Sequence, residues 1–127
     1  MQEKHLYEYV VIRIVPVVER EEFLNTGIIL FCKKEKYIKV LYTLNEQKIM
    51  LFCKDLDIEQ IRLNLQSIEK IAMGSETMGP IANLDLSSRF RWLSAVRSSA
   101  IQTSRPHPGL CHNLDETAQR LFEELVV

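Results

Sequence analysis

The first third of the chain carries three segments whose hydrophobic and polar positions follow the spacing of β-strands. Residues 6–15 are β-branched and aromatic, with mostly aliphatic even positions and with tyrosines and Arg13 at odd ones. This pattern predicts a strand that is buried on its even face and partly wet on its odd face. Residues 26–34 are almost continuously apolar, as expected of a central strand, and residues 37–44 alternate around Lys39. The short connections between the three predict an antiparallel meander.

Helical spacing replaces this pattern after residue 44. Asn45 can cap a short helix that carries Ile49, and Asp57 with Gln60 three residues later is typical of the start of a longer helix. Aliphatic side chains then recur on one helix face until Gly74, which is expected to end the helix. These side chains are Ile58, Ile61, Leu65, Ile68 and Ala72.

Shorter elements are predicted in the second half of the chain. After a loop with glycine and proline, a short helix is expected to begin at Asp85 or Ser87 and to bury Phe90. Residues 98–104 predict one short further strand, which is polar at alternate positions. The two prolines and the glycine of residues 106–109 are interpreted as a break in regular structure.

Asn113 and Glu116 form a second capping box, which predicts a terminal helix. Taken together, the elements predict a single α+β domain over residues 1–127. It consists of a three-stranded antiparallel meander plus a short later strand, with helices packed on one face. The side chains expected to be buried together are Ile28, Leu30, Ile61, Leu65, Ile68, Phe90, Leu121 and Leu125.

Charge and composition narrow the classes of function. The 127 residues carry 16 Lys and Arg, 17 Asp and Glu, and a net charge of −1. This balance argues against a protein that coats nucleic acid or a membrane surface, since both need a basic excess. No apolar run approaches the roughly 20 residues that span a bilayer, and the polar start does not resemble a signal peptide. Three widely spaced cysteines without a CxxC pair are expected to be reduced thiols in the cytoplasm.

His107, Cys111 and His112 form a local cluster of residue types that bind metals or act as nucleophiles. A zinc site needs three or four ligands, so distant residues such as Cys32 or Asp85 would have to complete one. We favour histidines that are packed in a loop. The chain also lacks P-loop, dinucleotide-binding, zincin and nucleophile-elbow motifs. We therefore predict no catalytic residue, no metal site and no cofactor.

Residues 86–114, called the arginine segment below, contain four arginines and neither Asp nor Glu, a local charge of +4. Arginines beside hydroxyl groups bind phosphate or carboxylate by charge-assisted hydrogen bonds. Two interpretations stay open. The arginines form ion pairs with distant acids and anchor the segment to the rest of the fold, or they form a binding site for an anion or a partner. In the second case Arg91, Arg97 and Arg105 should lie on one side of the molecule. The candidate residues are Arg89, Arg91, Arg97, Ser98, Gln102, Arg105 and His107.

Two blocks of sequence carry a family resemblance. In YEYVVIRIVPVVEREEFLNTGIILFC, residues 7–32, a tyrosine-rich strand ends in Arg-x-x-Pro at Arg13 and Pro16, and Asn-x-Gly at Asn25 opens the next strand. In SRFRWLSAVRSSAIQTSRPHPGL, residues 88–110, Arg-Phe-x-Trp-Leu precedes Arg-Ser. In this order, with a Leu-Phe pair in the closing helix, the blocks resemble a bacterial family, the domain of unknown function thirty thirty-seven.

The resemblance implies a small bacterial protein that is often encoded beside a kinase similar to the HipA toxin kinases, and hence a partner or regulator of that kinase. We therefore predict a cytoplasmic, non-enzymatic binding or regulatory module whose contact surface is the arginine segment. The alternative is a small enzyme for a phosphorylated or nucleotide-like substrate. In that enzyme Arg91 and Arg97 would hold the phosphate, and His107 or His112 would be the general acid or base. Convergence of arginines and a histidine in one pocket distinguishes the two.

Overall fold

The structure is a computed structural model that describes residues 4–74, 79–98 and 100–127, without the side chains of Val18, Arg97 and Ser98. Its first three strands are β1 (His5–Ile14), β2 (Leu24–Cys32) and β3 (Tyr37–Tyr42). Each pairs antiparallel with the next in chain order, so the predicted meander is confirmed. The α+β class is confirmed as well.

The long strand β1 lies inside the sheet and has different neighbours along its length. On one side it pairs with β2; on the other, its residues 12–14 pair with β5 (Ile101–Thr103) and its residues 5–9 with β6 (His107–Cys111). The two-residue strand β4 (Arg97–Ser98) pairs with β5. The strand order in the described part of the chain is therefore β3-β2-β1-β5-β4, with β6 also beside β1. The one short strand predicted over residues 98–104 corresponds to β4 and β5.

Strand β6 corrects the interpretation of residues 106–109 as a break. Pro108 pairs with Glu8 at the sheet edge, where a residue without an N–H is tolerated because its outer side needs no ladder partner. Gly109 lies opposite Tyr7, and a Cβ atom at position 109 would collide with the Tyr7 ring. Pro108 and Gly109 are therefore compatible with a strand here because β6 is an edge strand and because the Tyr7 ring of β1 occupies the space beside Gly109.

Four helices complete the described fold: α1 (Glu46–Phe52), α2 (Ile58–Met73), α3 (Leu86–Leu93) and α4 (Leu114–Leu125). Their N-caps are Asn45, Asp57, Asp85 and Asn113; each side chain accepts a hydrogen bond of 2.7–3.1 Å from the backbone N–H three residues later. Gly74 ends α2 in the left-handed conformation, at φ 75°. None of the described helices is both long and apolar enough to cross a membrane.

The sheet is covered by helices on both faces, which corrects the expectation that all helices pack on one. Helices α1, α2 and α3 pack on the even face of β1, where Phe90 of α3 stacks on Phe31 of β2 with ring centroids 4.7 Å apart. Helix α4 packs on the other face, where Leu121 joins Ile28 and Leu30 of β2. The apolar run of β2 thus supplies both cores, as a fully buried strand must.

The predicted core is accordingly two cores separated by the sheet. Ile61, Leu65, Ile68 and Phe90 are buried with α1–α3, whereas Ile28, Leu30 and Leu121 are buried with α4 and Leu125 is half-buried beside them. Tyr7 was expected on a partly wet face but is buried in the second core. Helix α4 covers the end of the odd face that carries Tyr7.

Candidate functional site

The sheet separates the candidate residues of the arginine segment into two groups. Arg91 lies on α3, on the face covered by α1–α3, and lines a cavity there. The other group lies on the α4 side of the sheet. Gln102 of β5 is opposite Arg13, His107 of β6 contacts Tyr9, and Arg105, between the two strands, lines a cavity with Arg13 and Gln102. The expectation that Arg91 and Arg105 share one surface is therefore wrong. The side chains of Arg97 and Ser98 lie outside the described part of the structure.

Arg89 is used inside the fold. Its Nη1 atom donates to the carbonyl oxygens of Ala72 at 3.0 Å and Ile71 at 3.4 Å, in the last turn of α2. A cation at a helix C-terminus satisfies carbonyls that lack intrahelical partners and complements the helix dipole. For Arg89 the contacts agree with the interpretation of an internal tie, although the tie is to backbone carbonyls and not to an acid.

A second group of residues forms a cavity of about 360 Å³ at the open end of the α4 face, called the basic cavity below. Arg13 of β1 lies directly opposite Gln102 of β5, and Arg105 follows that strand. The cavity is lined by Arg13, Val15, Glu21, Glu22, Phe23, Gln102, Thr103, Ser104 and Arg105. Two of the predicted site residues, Gln102 and Arg105, thus meet an arginine from the first strand.

Alternation along β1 places the Arg13 side chain on the odd face, toward this cavity, and a bulge in the neighbouring strand β2 lies beside it. Between Ile12 and Arg13 the β1–β2 register shifts by one residue, because β2 has an extra residue there: Ile12 pairs with Gly27 and Arg13 with Asn25. Such bulges bend a strand and redirect side chains, and they are frequent near binding sites. The amide of Asn25 donates to the carbonyl oxygen of Leu125 at 2.9 Å, so the end of α4 is held beside the cavity.

The charge of Arg13 is not neutralised by any carboxylate that the structure describes. Its guanidinium lies 4.1 Å from the centre of the Phe23 ring, a cation–π contact that fixes its orientation. Its Nε atom is buried and has no hydrogen-bond partner among the described residues. A buried donor without an acceptor costs free energy. Of the two acids that line the cavity, Glu22 pairs with Arg20, and Glu21 forms no ion pair with an arginine among the described residues.

Ser104 holds the backbone that carries Arg105. Its backbone N–H donates to the carbonyl oxygen of Val11 at 2.8 Å, and its Oγ atom accepts from the N–H of Val11 at 2.8 Å. Ser104 is buried, so its hydroxyl replaces a ladder partner in the gap between β5 and β6. The same hydroxyl donates to the carbonyl oxygen of Arg105 at 3.0 Å. Arg105 itself is exposed and makes no ion pair with a carboxylate in the described ranges.

His107 lies on the same face as the basic cavity but is in contact with an aromatic ring. The centroid of its ring is 5.2 Å from that of Tyr9, its partner in the β1–β6 register. The three cysteines are free thiols, with Cys32 buried and Cys111 half-buried. Within residues 4–74, 79–98 and 100–127, no three His, Cys, Asp or Glu side chains lie close enough to hold a metal ion.

Sequence reasoning missed Arg13 and Phe23 as members of the site. The sequence places Arg13 on the partly exposed face of the first strand and in Arg-x-x-Pro. Arg105 is far away along the chain, so no local pattern indicates that the two arginines line one cavity. An arginine among the aliphatic residues 10–15 was the available signal, since a charge there needs a functional or structural partner.

The comparisons with known proteins identify a family. Its model matches residues 9–126 and is described as a protein of unknown function, DUF3037. The chain belongs to the DUF3037 family. The matched range contains Arg13, Gln102 and Arg105, so the basic cavity of this DUF3037 protein lies within the family domain. Searches of the curated proteins and of the solved structures found no match.

Proposed function

We propose that this DUF3037 protein is a non-enzymatic binding or regulatory module that holds a phosphate or carboxylate group of a partner in the basic cavity. The observation that carries the proposal is the guanidinium of Arg13, which forms no ion pair with a carboxylate among the described residues and lines the same cavity as Arg105. Two arginines and Gln102 line this cavity and carry several N–H donors. Such donors match the oxygens of one tetrahedral or planar anion.

The family resemblance suggests which partner to test. A HipA-like kinase encoded beside the protein would offer acidic and phosphorylated segments, and a phosphate group carries more charge and more acceptor oxygens than a carboxylate. We therefore propose that a phosphorylated segment of such a kinase occupies the basic cavity in a cytoplasmic complex. Both arginines would contact the phosphate oxygens.

The alternative of a small enzyme has less support from the geometry. It needs Arg91 and Arg97 to hold a phosphate beside His107 or His112 as general acid or base. His107 contacts Tyr9 on the α4 face, whereas Arg91 lies on the opposite face with α3. His112 is exposed beyond the end of β6. Binding therefore accounts for the arrangement better than catalysis.

The test is a titration of the full chain with inorganic phosphate, followed by backbone NMR, and a copurification with the neighbouring kinase at low and high salt. Arg105→Ala should weaken binding about tenfold or more, since a hydrogen bond to a charged group contributes about 1.5–3 kcal/mol. Arg120→Ala is the matched control, because Arg120 is an exposed arginine on α4 that pairs with Glu124. Equal binding by both variants, or phosphate-induced shifts away from residues 13 and 102–105, would refute the proposal.

A further inference from the structure

A second cavity, of about 330 Å³, lies on the opposite face of the sheet from the basic cavity and is called the α3 cleft below. One wall is a single side of α3, formed by Ser87, Phe90, Arg91 and Ser94, which are three, four and seven residues apart as on one helix face. The floor is formed by residues at one end of β1 and β2 and by two prolines. It consists of Leu6, Tyr7, Glu8, Phe31, Lys33, Pro106 and Pro108.

The α3 cleft combines a rigid aromatic base with exposed apolar side chains. Phe31 and Phe90 are buried and stacked, with 19° between their ring planes. Beside them, Leu6 is 64% exposed and Pro108 is exposed on the neighbouring strand. A cavity of this volume falls within the range that encloses a small organic ligand. Burial of the exposed aliphatic carbon beside it under a ligand is favourable and would contribute to binding.

The polar groups of the cleft favour an anionic ligand. Arg91 on the wall and Lys33 on the floor are both exposed, and neither forms an ion pair with a carboxylate among the residues that the structure describes. Glu8 is the acid in the lining, so the cleft has two positive charges and one negative. The hydroxyl of Ser94 donates to the carbonyl oxygen of Arg91 at 2.9 Å, which links the two residues at the wall.

We propose that the α3 cleft is a second binding site, which takes a small organic anion with an apolar body, such as an aromatic carboxylate. The body covers Leu6 and the two prolines, and the carboxylate accepts hydrogen bonds from Arg91 and Lys33. This site is independent of the partner site proposed above, because the basic cavity lies on the other face of the sheet and shares no residue with the cleft. The protein therefore has a surface where a metabolite can bind while a partner is held elsewhere.

A pair of matched probes tests the charge and the apolar body separately. We would titrate the full chain with 4-phenylbutyrate and with 4-phenylbutan-1-ol, which has the same body without the charge, and follow backbone and side-chain NMR shifts. The carboxylate should bind in the millimolar range, as expected for so small a ligand. It should shift resonances of Leu6, Lys33 and Arg91, and the alcohol should bind about tenfold more weakly.

The variant Arg91→Ala should weaken 4-phenylbutyrate binding about tenfold while the dispersion of the NMR spectrum shows an intact fold. Arg120→Ala, which removes an exposed arginine from α4, should bind the probe as the parent protein does. Equal affinity for the acid and the alcohol, or equal affinity of the two variants, would overturn the proposal. Shifts confined to residues 13 and 102–105 would also overturn it, because they would assign the anion to the basic cavity. Failure of the phosphate test at the basic cavity is a separate outcome, since Arg105→Ala should leave 4-phenylbutyrate binding in the α3 cleft unchanged.

Discussion

Arg89→Ala is the substitution whose effect on stability follows most directly from the structure. The Arg89 guanidinium donates to two carbonyl oxygens at the C-terminus of α2, one at 3.0 Å and one at a longer 3.4 Å. These carbonyls belong to Ala72 and Ile71, both buried residues of the first core. Removal of the side chain leaves the Ala72 carbonyl without this donor, at the end of a helix that packs against β3 and α3.

The expected loss can be estimated from three contributions. A hydrogen bond from a charged donor contributes about 1.5–3 kcal/mol, of which the lower part applies here because Arg89 is only half-buried. The favourable interaction with the helix dipole adds about 0.3–1 kcal/mol. The Nε atom of Arg89 is buried without a partner in the described residues, a cost that the variant removes. The two losses together amount to about 2–3 kcal/mol, and relief of the unpartnered Nε atom offsets about 1 kcal/mol of them. We therefore expect Arg89→Ala to lower the free energy of unfolding by about 1–2 kcal/mol.

Urea unfolding, followed by circular dichroism, measures this loss as a lower midpoint at unchanged slope. The control is Arg91→Ala, which removes an exposed arginine two positions further along the same helix. Its effect should stay within about 0.5 kcal/mol. If Arg89→Ala destabilises the protein by less than about 0.5 kcal/mol, or no more than Arg91→Ala does, the guanidinium is not a helix cap and our reasoning about Arg89 is wrong.

Gly74 allows a second test of the same contact. A Cβ atom at position 74 would lie 2.5 Å from Nη1 of Arg89, and φ is 75° there. Gly74→Ala should cost about 1–2 kcal/mol from the left-handed backbone alone, and more where the methyl group displaces the guanidinium. In the Arg89→Ala background the displacement term disappears, so the double variant should be less destabilised than the sum of the two single ones. If the loss of the double variant equals the sum of the two single losses, Gly74 and Arg89 are not in the contact described here.

Two further predictions concern the cores and the pH dependence of stability. Leu65→Ala and Leu121→Ala should each lower the free energy of unfolding in urea by about 2–5 kcal/mol, because both side chains are buried. The control Leu63→Ala, at a site that is 49% exposed, should lower it by less than about 1 kcal/mol. Similar values for all three variants would contradict the assigned helix faces. The hydroxyl of Tyr37 donates to Oδ1 of Asp115 at 2.7 Å and lowers the pKa of that carboxyl below its ordinary 3.8. Ionised Asp115 therefore stabilises the folded state above about pH 4, and this contribution is lost as the pH falls through the lowered pKa. Tyr37→Phe should reduce this pH-dependent difference and leave the part that comes from Lys39, whose Nζ atom lies 3.5 Å from Oδ1 of Asp115. An unchanged acid-unfolding profile would contradict the prediction.

Much of the fold could be predicted from the sequence because its determinants are local. A cap residue and the N–H that it binds are three residues apart, so Asn45, Asp57 and Asn113 located helix starts without knowledge of the tertiary structure. The meander followed from strand patterns joined by short connections. The arginine segment was also visible, since the absence of acids over residues 86–114 is a property of the sequence itself.

Other features depend on pairings that no local pattern records. Strand β6 contains a proline and a glycine, and is recognisable only beside the first half of β1, where an edge tolerates the proline and Tyr7 occupies the space above Gly109. Likewise, the continuous apolar run of β2 was compatible with burial on either face or on both. Only the position of α4 decided that two cores form.

The candidate site shows the same division. The sequence by itself determined that Arg91 and Arg105 lie in an acid-free segment, because charge composition does not depend on folding. Only the tertiary structure decided that the two arginines lie on opposite faces of the sheet and that Arg13 joins Arg105. Those relations depend on the β1–β5 pairing and on Ser104, whose contact with Val11 joins residues 93 positions apart in the chain. Contacts over such a separation depend on the register of paired strands, and hydrophobic periodicity along one segment carries no information about its partner.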